Sequence, residues 1–342
     1  MKYKFFAFLM GLVLISCNNT NSIKPNNSLD SISDENYDPL PSWKEGKTKQ
    51  NIIEFVASVA DTDSELFIPV QERIAAFDND GTLWSEKPFY FQLFFAMDRL
   101  KEMAKTQTNL NSEQPYKALL EGDFEKLKSY GEHGLLEIVM ATHGDMSTDE
   151  FKQYVESWIT VAKHPQKQRQ FTELVYQPML ELLDFLQSND FKTYIVSGGG
   201  IDFMRPWAAK VYGIPTEQII GSSLNLEFSN EDDIVMIKRL KSLSFINDKA
   251  GKPIAIHNAI GKKPIFTVGN SDGDLEMLQW TDTQDNSFKM YIHHTDEIRE
   301  WAYDSMSSVG RLKNGLKVAK EKSWTVVDMK KDWHTVFSFE MN

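Results

Sequence analysis

The sequence contains a single cysteine, Cys17, among 342 residues. One thiol cannot form a disulfide within the chain, nor can it supply the several thiolates of a cysteine zinc site. Basic residues are also scarce, 37 Lys and Arg against 49 Asp and Glu, which gives a formal net charge of −12. Because affinity for DNA or RNA depends on Lys and Arg at the phosphates, we expect no nucleic-acid partner. The 41% of hydrophobic residues nevertheless suffices for a core, which excludes wholesale disorder.

The chain also lacks a long apolar run at its N-terminus, where the apolar stretch covers only residues 5–15. This is well short of the roughly 20 residues that cross a bilayer as a helix. Two lysines precede the run and Ser16 follows it, which is typical of a signal peptide. Residues 14–17 resemble the lipobox of bacterial lipoproteins, which implies lipidation of Cys17. The alternative is an ordinary cleaved signal with an incidental cysteine.

Residues 18–48 are rich in Asn, Ser, Asp and Pro and show no helical or strand periodicity. This composition predicts a flexible tether between the lipidated cysteine and a folded body. Together with residues 1–17, it predicts an exported protein anchored to a bacterial membrane, at the periplasmic face or the cell surface. Contact with the membrane is then expected through the N-terminal lipid only.

From about residue 49 the pattern becomes that of a globular protein. Short apolar strands are predicted at residues 74–77, 193–196 and 264–269, and each is followed by a polar or Gly-rich segment before a helix. This alternation is typical of an α/β fold with a parallel sheet. In such sheets the ligand site lies beyond the carboxyl ends of the strands, so the residues that follow each strand are the informative ones.

Three strand-end segments have unusual chemistry: residues 78–82 (DNDGT), 197–200 (SGGG) and 269–274 (GNSDGD). Two acidic loops at one sheet edge repel each other unless a hard cation lies between them, and Mg²⁺ suits such oxygen ligands. A Ser-Gly-Gly turn offers a hydroxyl and backbone N–H groups to phosphate oxygens. A lysine would complete the neutralisation of a transferred phosphoryl group.

In this order the segments resemble the motifs of the haloacid dehalogenase (HAD) superfamily, in its phosphoserine-phosphatase-like branch. Residues 78–82 match the first motif, DxDxT, Ser197 and its glycines match the second, and residues 269–278 resemble the fourth. The likeness covers roughly residues 70–300. It implies a Rossmann-like parallel sheet with helices on both faces and a helical cap inserted between the first two motifs.

The resemblance also implies roles for individual residues. Asp78 becomes the nucleophile that forms an aspartyl-phosphate, and Asp80 becomes the general acid and then the general base. Thr82 is expected to hydrogen-bond the nucleophile. Phosphoryl oxygens are expected at Ser197 with Gly198 and Gly199. The metal is expected on the Asp78 carboxylate, the Asp80 backbone carbonyl and a side chain of the fourth motif.

Four lysines precede the fourth motif, Lys249, Lys252, Lys262 and Lys263. Lys252 is followed by proline and an apolar-spaced helix, so it lies at a helix start about one helix before the strand. The third-motif lysine of the superfamily has a comparable place, which favours Lys252. The lysines at 262 and 263 abut the far end of the strand.

The fourth motif departs from the superfamily pattern, which often reads Gly-Asp-x-x-x-Asp. Asn270 stands where the first of those acids is expected, and Asp272 follows two positions later. Either side chain can ligate Mg²⁺ through oxygen. The third metal ligand is therefore open among Asn270, Asp272 and Asp274.

The first two motifs are separated by far more chain than one strand–helix–strand crossover needs. We predict a core of residues 49–86 and 176–342 and a helical cap of residues 87–175. Caps exclude water and choose the leaving group. Trp84, Glu86 and Lys87 lie near the expected hinge, where they could contact substrate.

The predicted function is an Mg²⁺-dependent phosphomonoester hydrolase acting on small organic phosphates outside the cytoplasm. One alternative is phosphoryl transfer on the same fold to an acceptor other than water. Another is a tethered binding lipoprotein with an inactive site, for which Asn270 is the only support.

Overall fold

A computed structural model describes residues 38–231 and 233–341. The predictions for the signal segment, for Cys17 and for the tether up to residue 37 lie outside the described residues. Within the described ranges, none of the helices combines the length and the apolar character needed to span a bilayer.

The predicted tether is too long at its C-terminal end. Leu40 and Trp43 are buried, and the Trp43 indole N–H donates to the Pro178 carbonyl at 2.9 Å. Trp43 also packs edge-on against Trp333 at a centroid distance of 5.7 Å. Burial of these two apolar side chains outweighs the turn-forming composition around them. The folded body therefore includes residues 40–48, which the sequence assigned to the tether.

Helices and strands alternate along most of the folded body. The helices are α1 (Lys47–Ala60), α2 (Phe91–Met103), α3 (Tyr116–Glu121), α4 (Phe124–Ser129), α5 (Gly131–His143), α6 (Thr148–Ile159), α7 (Gln177–Ser188), α8 (Ile201–Tyr212), α9 (Gly251–Ile260), α10 (Leu275–Thr281), α11 (Asn314–Lys322) and α12 (Met329–Asp332). The strands are β1 (Ile74–Phe77), β2 (Met146–Ser147), β3 (Lys192–Gly200), β4 (Ile219–Glu231), β5 (Ile234–Phe245), β6 (Phe266–Gly269), β7 (Phe288–His293) and β8 (Thr325–Asp328).

The strands form one sheet in the order β2-β5-β4-β3-β1-β6-β7-β8. Every neighbouring pair from β4 to β8 is parallel, whereas β5 pairs antiparallel with both β4 and β2. Strand β1 lies between β3 and β6, with Ala76 opposite Tyr194 on one side and Thr267 on the other. The carboxyl ends of these three strands are therefore adjacent. The predicted α/β fold with a mostly parallel sheet is confirmed.

Both faces of β1 are covered, as its four buried residues require. Ala75 and Phe77 pack in a large apolar cluster with residues of α1, α7 and α8. Ala76 points the other way, into a cluster with residues of α9, α10 and α11. Side chains alternate across a strand, so this strand needs an apolar layer on each face.

Between β1 and β3 the chain forms the short strand β2 and the helices α2 to α7. Residues of α2 to α5 share an apolar cluster of their own, which includes Leu100, Leu119 and Ile138. The helical insertion expected from the sequence is thus present. Its predicted limits, residues 87 and 175, stay a prediction.

A long antiparallel hairpin, β4 with β5, is not among the predicted elements. Its register pairs Phe228 with Ile237 and Asn230 with Val235. Leu224, Leu226 and Phe228 alternate with polar residues along β4, and this period of two is the signal that could have found it.

Candidate active site

The three chemistry-bearing segments meet at one sheet edge because of the strand order. Asp78 follows β1 directly, Asn270 follows β6, and Ser197 lies in the last part of β3. The Ser-Gly-Gly segment is part of β3 rather than a turn after it. Its pairing with β4 shifts register between Val196 and Gly200.

Lys252 lies at the centre of the site. Its ammonium donates to Asp78 Oδ1 at 2.6 Å, to Asp274 Oδ1 at 2.5 Å and to the Val196 carbonyl at 2.8 Å. Lys252, Asp78 and Asp274 are all buried. Burial alone would lower the pKa of Lys252, but Asp274 and Asp78 outweigh it and raise that pKa above its ordinary value. The ammonium therefore stays charged.

The other three candidate lysines lie elsewhere. Lys262 Nζ contacts Glu72 at 2.6 Å and Lys263 Nζ contacts Thr283 at 2.7 Å, both exposed. Lys249 is exposed as well. Among the described lysines, Lys252 is therefore the one at the site, as its place at the start of α9 predicts.

More negative charge surrounds Asp78 than the single ammonium of Lys252 can offset. Burial raises the pKa of Asp78 to about 8, with Asp274 adding to the rise and Lys252 opposing it. Thr82 Oγ1 lies 3.4 Å from Asp78 Oδ2 and 3.3 Å from Asn270 Oδ1. The carboxylate oxygen and the amide oxygen therefore converge on one hydroxyl.

Asp80 is held by two side chains. The Trp84 indole N–H donates to Asp80 Oδ1 at 2.9 Å, and Ser197 Oγ lies 3.4 Å from Asp80 Oδ2. Trp84 in turn stacks on Trp207 at 4.3 Å. Burial raises the pKa of Asp80. A carboxyl group that keeps its proton more readily than usual suits an acid that donates to a leaving group.

The two acids of the fourth motif have different partners. Asp274 Oδ1 binds Lys252, and its Oδ2 accepts from the backbone N–H groups of Asn270 and Ser271 at 2.9 and 3.0 Å. Asp274 therefore shapes the loop that carries Asn270.

Asp272 is not brought to this group. Its Oδ1 accepts from the backbone N–H groups of Lys313 and Gly315, both at 2.9 Å, at the start of α11. Helix starts leave N–H groups without intrahelical partners, and a carboxylate satisfies them. The prediction that Asp272 is a candidate metal ligand is therefore corrected, because its Oδ1 binds the N-terminal end of α11.

Ser197 faces the site, and its glycines border the open space above it. Ser197 is buried, and its hydroxyl accepts from the Gly199 N–H at 3.0 Å. Gly198 and Gly199 line a cavity of about 240 Å³. The remaining lining residues are Asp78, Asp80, Glu86, Tyr90, Gln92, Leu93, Leu135, Val139, Asp248, Lys252, Ser271 and Asp274. We call Asp78, Asp80, Lys252 and Asp274 the polar floor and Leu93, Leu135 and Val139 the apolar wall.

Glu86, expected near the hinge, is buried beside Asn270. Its Oε1 accepts from Asn270 Nδ2 at 2.7 Å and from the Tyr303 hydroxyl at 2.8 Å. Burial raises the pKa of Glu86 well above its ordinary value. Glu86 thereby orients the amide of Asn270 so that the amide oxygen faces the Thr82 hydroxyl, which also lies beside Asp78.

A buried histidine, His294, lies behind the first motif. His294 Nε2 donates to the Gly81 carbonyl at 2.7 Å, and His294 Nδ1 lies 3.1 Å from Glu300 Oε2. Burial alone would raise the pKa of Glu300, but His294 helps to hold it below its ordinary value. The ring stacks on Tyr303 at 4.3 Å, a contact that no local sequence signal indicates.

Gln92 joins the helical insertion to β3. Its side-chain oxygen accepts from the Gly200 N–H at 2.8 Å, and its amide nitrogen lies 3.0 Å from His143 Nε2. Gln92 and Asp248 were not predicted. Neither belongs to a motif, and both reach the cavity only through the packing of the insertion and the loop after β5.

The site has an oxygen-rich donor set that fits a hard cation. Among the described residues, no three His, Cys, Asp or Glu side chains are grouped as a metal site. The donors here are of mixed type: the carboxylate of Asp78, the backbone carbonyl of Asp80 and the amide oxygen of Asn270. Four buried or partly buried acids, including Glu86 and Asp274, face one ammonium. A divalent, oxygen-seeking ion would offset that excess of negative charge.

Three known structures resemble this chain to different degrees. A protein of unknown function from Anaerococcus prevotii aligns at a TM-score of 0.51 with 15% identity, covering 82% of this chain and 91% of its own. One from Bordetella pertussis aligns at 0.48 with 13% identity, covering 75% and 99%. A phosphoserine phosphohydrolase-like protein from Francisella tularensis aligns at 0.35 with 18% identity, covering 66% and 89%. At 15% identity, the first alignment shows the fold alone.

No curated protein matches the sequence. A family model does: residues 75–279 match the model of haloacid dehalogenase-like hydrolases. This range covers more than half of the chain and contains Asp78, Ser197, Lys252 and Asp274. The chain therefore belongs to the haloacid dehalogenase-like hydrolases.

Proposed function

We propose that this hydrolase cleaves small phosphate monoesters through an aspartyl-phosphate on Asp78. The observation that carries the proposal is the polar floor, in which a charged lysine holds one oxygen of Asp78 while Asp80 lies beside it at the base of the cavity. A carboxylate nucleophile and a neighbouring carboxyl acid are the two groups that this chemistry needs.

In the first step an oxygen of Asp78 bonds to phosphorus as the bond from phosphorus to the alcohol oxygen breaks. Asp80 gives its proton to that alcohol oxygen. In the second step a water oxygen bonds to phosphorus, Asp80 takes a proton from the water, and the bond from Asp78 to phosphorus breaks to release phosphate. The positive charge of the Lys252 ammonium offsets the negative charge that develops on the phosphoryl oxygens, and the hydroxyl of Ser197 offers them a hydrogen bond.

We propose Mg²⁺ as the cofactor, held by the Asp78 carboxylate, the Asp80 carbonyl and the Asn270 amide oxygen. Asn270 is favoured over Asp274 because both Asp274 oxygens already have partners. When bound, the ion would offset the carboxylate charge and polarise a phosphoryl oxygen. Within the described part of the chain, the oxygen of Asn270 hydrogen-bonds only the Thr82 hydroxyl, which also lies beside Asp78, and this supports it as a ligand.

The test is hydrolysis of p-nitrophenyl phosphate by protein lacking residues 1–17, with Mg²⁺ and with EDTA, beside Asp78→Asn. We expect metal-dependent release of phosphate and a loss of at least ~10³-fold in the variant. Added alcohols test the alternative of phosphoryl transfer, because transfer would yield new phosphate esters. A folded, metal-loaded protein without turnover on this and other small esters would favour the tethered binding protein.

We also propose export and lipid anchoring at Cys17, on the support of the sequence of residues 1–17 alone. In a bacterial host the full chain should be found in the membrane fraction, and Cys17→Ala should be released or retained as the unprocessed precursor. Equal membrane attachment of processed protein in both forms would contradict the anchor.

A further inference from the structure

The cavity above the polar floor has a charge pattern that goes beyond the chemistry of the phosphoryl group. Resting on the proposed function, we infer that the enzyme selects phosphate esters of short amino alcohols and rejects those whose alcohol carries a carboxylate. The juxtaposition of Asp248, Glu86 and the apolar wall carries this inference.

The lining outside the polar floor contains acids and no base. Its titratable carboxyl groups are Glu86 and Asp248. Lys252 is the only basic residue among the described lining residues, and its ammonium is already bound to Asp78 and Asp274. Whether Glu86 is protonated or charged, it supplies no positive charge. A carboxylate on the alcohol would therefore meet no cation that could pair with it.

Two bases outside the lining, Lys87 and Arg239, already have partners. Lys87 Nζ donates to Ser307 Oγ and to the Val309 carbonyl, and it lies over the Tyr303 ring at 3.8 Å. Arg239 is buried over the Phe151 ring at 4.0 Å, where it forms a salt bridge with Asp202.

Lys249 follows Asp248 directly in the chain. Its ammonium lies 3.8 Å from Asp248 Oδ2, and 60% of its side chain is exposed. An exposed pair at this separation contributes little, so it leaves Asp248 able to bind another cation.

Asp248 stands between two segments of the site. A Cβ on Gly273 would lie 2.5 Å from Asp248 Oδ1, and one on Gly198 would lie 4.0 Å from Asp248 Cβ. The side chain is 40% exposed. Asp248 also lines the cavity together with the polar floor, and an ammonium group bound beside it gains a carboxylate partner.

The size and the apolar wall limit the alcohol. A volume of about 240 Å³ is below the roughly 300–1,000 Å³ of pockets for drug-sized ligands. Leu135 and Val139 are one helical turn apart on α5, and Leu93 lies on α2. Side chains four apart share one helix face, so they present methyl groups to the short carbon chain of the alcohol. The cavity suits an amino alcohol of a few carbons.

The test compares three esters that differ by one group each: propyl phosphate, O-phosphoethanolamine and O-phosphoserine. Protein lacking residues 1–17 is loaded with Mg²⁺, and kcat/KM is measured for each ester. We expect O-phosphoethanolamine to exceed O-phosphoserine by at least ~10-fold, because the added carboxylate faces acids without a cation. We also expect O-phosphoethanolamine to exceed propyl phosphate, which lacks the amine.

Two substitutions locate the source of the selectivity. Asp248→Asn should lower the ratio of O-phosphoethanolamine to propyl phosphate several-fold. Leu135→Arg should raise the relative rate on O-phosphoserine by supplying the missing cation. Lys249→Gln, at the exposed rim, serves as the control and should leave both ratios as they are. Thermal melts show that each variant is folded.

The outcomes separate the inference from the proposed function. Hydrolysis of p-nitrophenyl phosphate with equal rates on the three esters, or with preference for O-phosphoserine, would overturn the inference and leave the hydrolase standing. A preference for O-phosphoserine that Lys249→Gln removes would assign Lys249 as the carboxylate partner and also overturn it. Absence of turnover on every ester would overturn both.

Discussion

The polar floor and the apolar wall face each other across the cavity, yet the chain builds them in different ways. Asp78 and Asp80 follow β1, Asp274 belongs to the loop after β6, and Lys252 is in the first turn of α9. The wall comes from two helices of the insertion, α2 and α5. Strand ends fix the reacting groups by backbone position, whereas the surroundings of the alcohol depend on how helices pack. The proposed reacting groups and the apolar wall therefore come from separate parts of the fold.

Lys252→Met tests the floor most severely. We expect kcat/KM to fall at least ~10³-fold, because the substitution removes charge at the phosphoryl site. We also expect unfolding in urea to show a loss of about 3–5 kcal/mol, since buried Asp78 and Asp274 lose their partner. Lys262→Met, at an exposed lysine, is the matched control. Activity within tenfold of the unmodified protein in Lys252→Met would refute the central role of this ammonium.

Asn270→Ala and Asp272→Ala separate two candidate metal ligands. The first should raise the Mg²⁺ concentration for half-maximal activity by at least ~10-fold. The second should leave that concentration unchanged and lower the free energy of unfolding by about 1 kcal/mol, since Asp272 satisfies N–H groups at the start of α11. Titrations of activity against Mg²⁺ give the answer. A higher requirement in Asp272→Ala alone would contradict the placement of these two side chains.

His294→Phe tests whether the buried hydrogen bond from His294 to Gly81 holds the loop of the first motif in place. Its ring N–H donates to the Gly81 carbonyl, next to Asp80. We expect kcat to fall about tenfold with KM little changed, because loss of one buried hydrogen bond costs about 1–3 kcal/mol and loosens the loop. His257→Phe, at an exposed histidine of α9, is the control. A rise in KM at constant kcat would point to substrate binding instead.

The smallest expected effect concerns His143, which contacts Gln92 at the edge of the insertion. Burial, with Arg239 and Arg99, lowers the pKa of His143 to about 3. The unfolded chain therefore takes up this proton first as the pH falls below about 6.5, so the stabilising contribution is complete above that pH and declines below it. The decline is at most about 1.4 kcal/mol per pH unit.

His143→Gln removes this titration and keeps a polar side chain. Urea unfolding at pH 7, 6 and 5 should show a shallower loss of stability in the variant than in the unmodified protein. Parallel curves for the two proteins would show that His143 does not titrate on unfolding.

Several features of the molecule follow from the sequence through simple rules. The convergence of Asp78, Ser197 and Asn270 follows from parallel strands that end at one edge. The choice of Lys252 as the lysine of the site follows from its position before Pro253 at the start of a helix.

Other features depend on contacts that local patterns do not contain. Asp272 and Asp274 are two residues apart in a tight turn, so their carboxylates point to different partners. The burial of Trp43 depends on Trp333, at the opposite end of the chain. Asp248, Gln92 and His294 reach the site through tertiary packing alone.

The central claim is a phosphoryl group carried by Asp78, and trapping it tests that claim most directly. Asp80→Asn should slow release of the intermediate, since Asp80 activates the water. The Mg²⁺-loaded variant is mixed with an ester carrying ³²P, quenched in acid and digested. We predict ³²P label on the peptide that contains Asp78. We predict no label in the double variant that carries both Asp80→Asn and Asp78→Asn. Label on another residue, or turnover by the unmodified protein while no quenched sample carries label, would contradict the account.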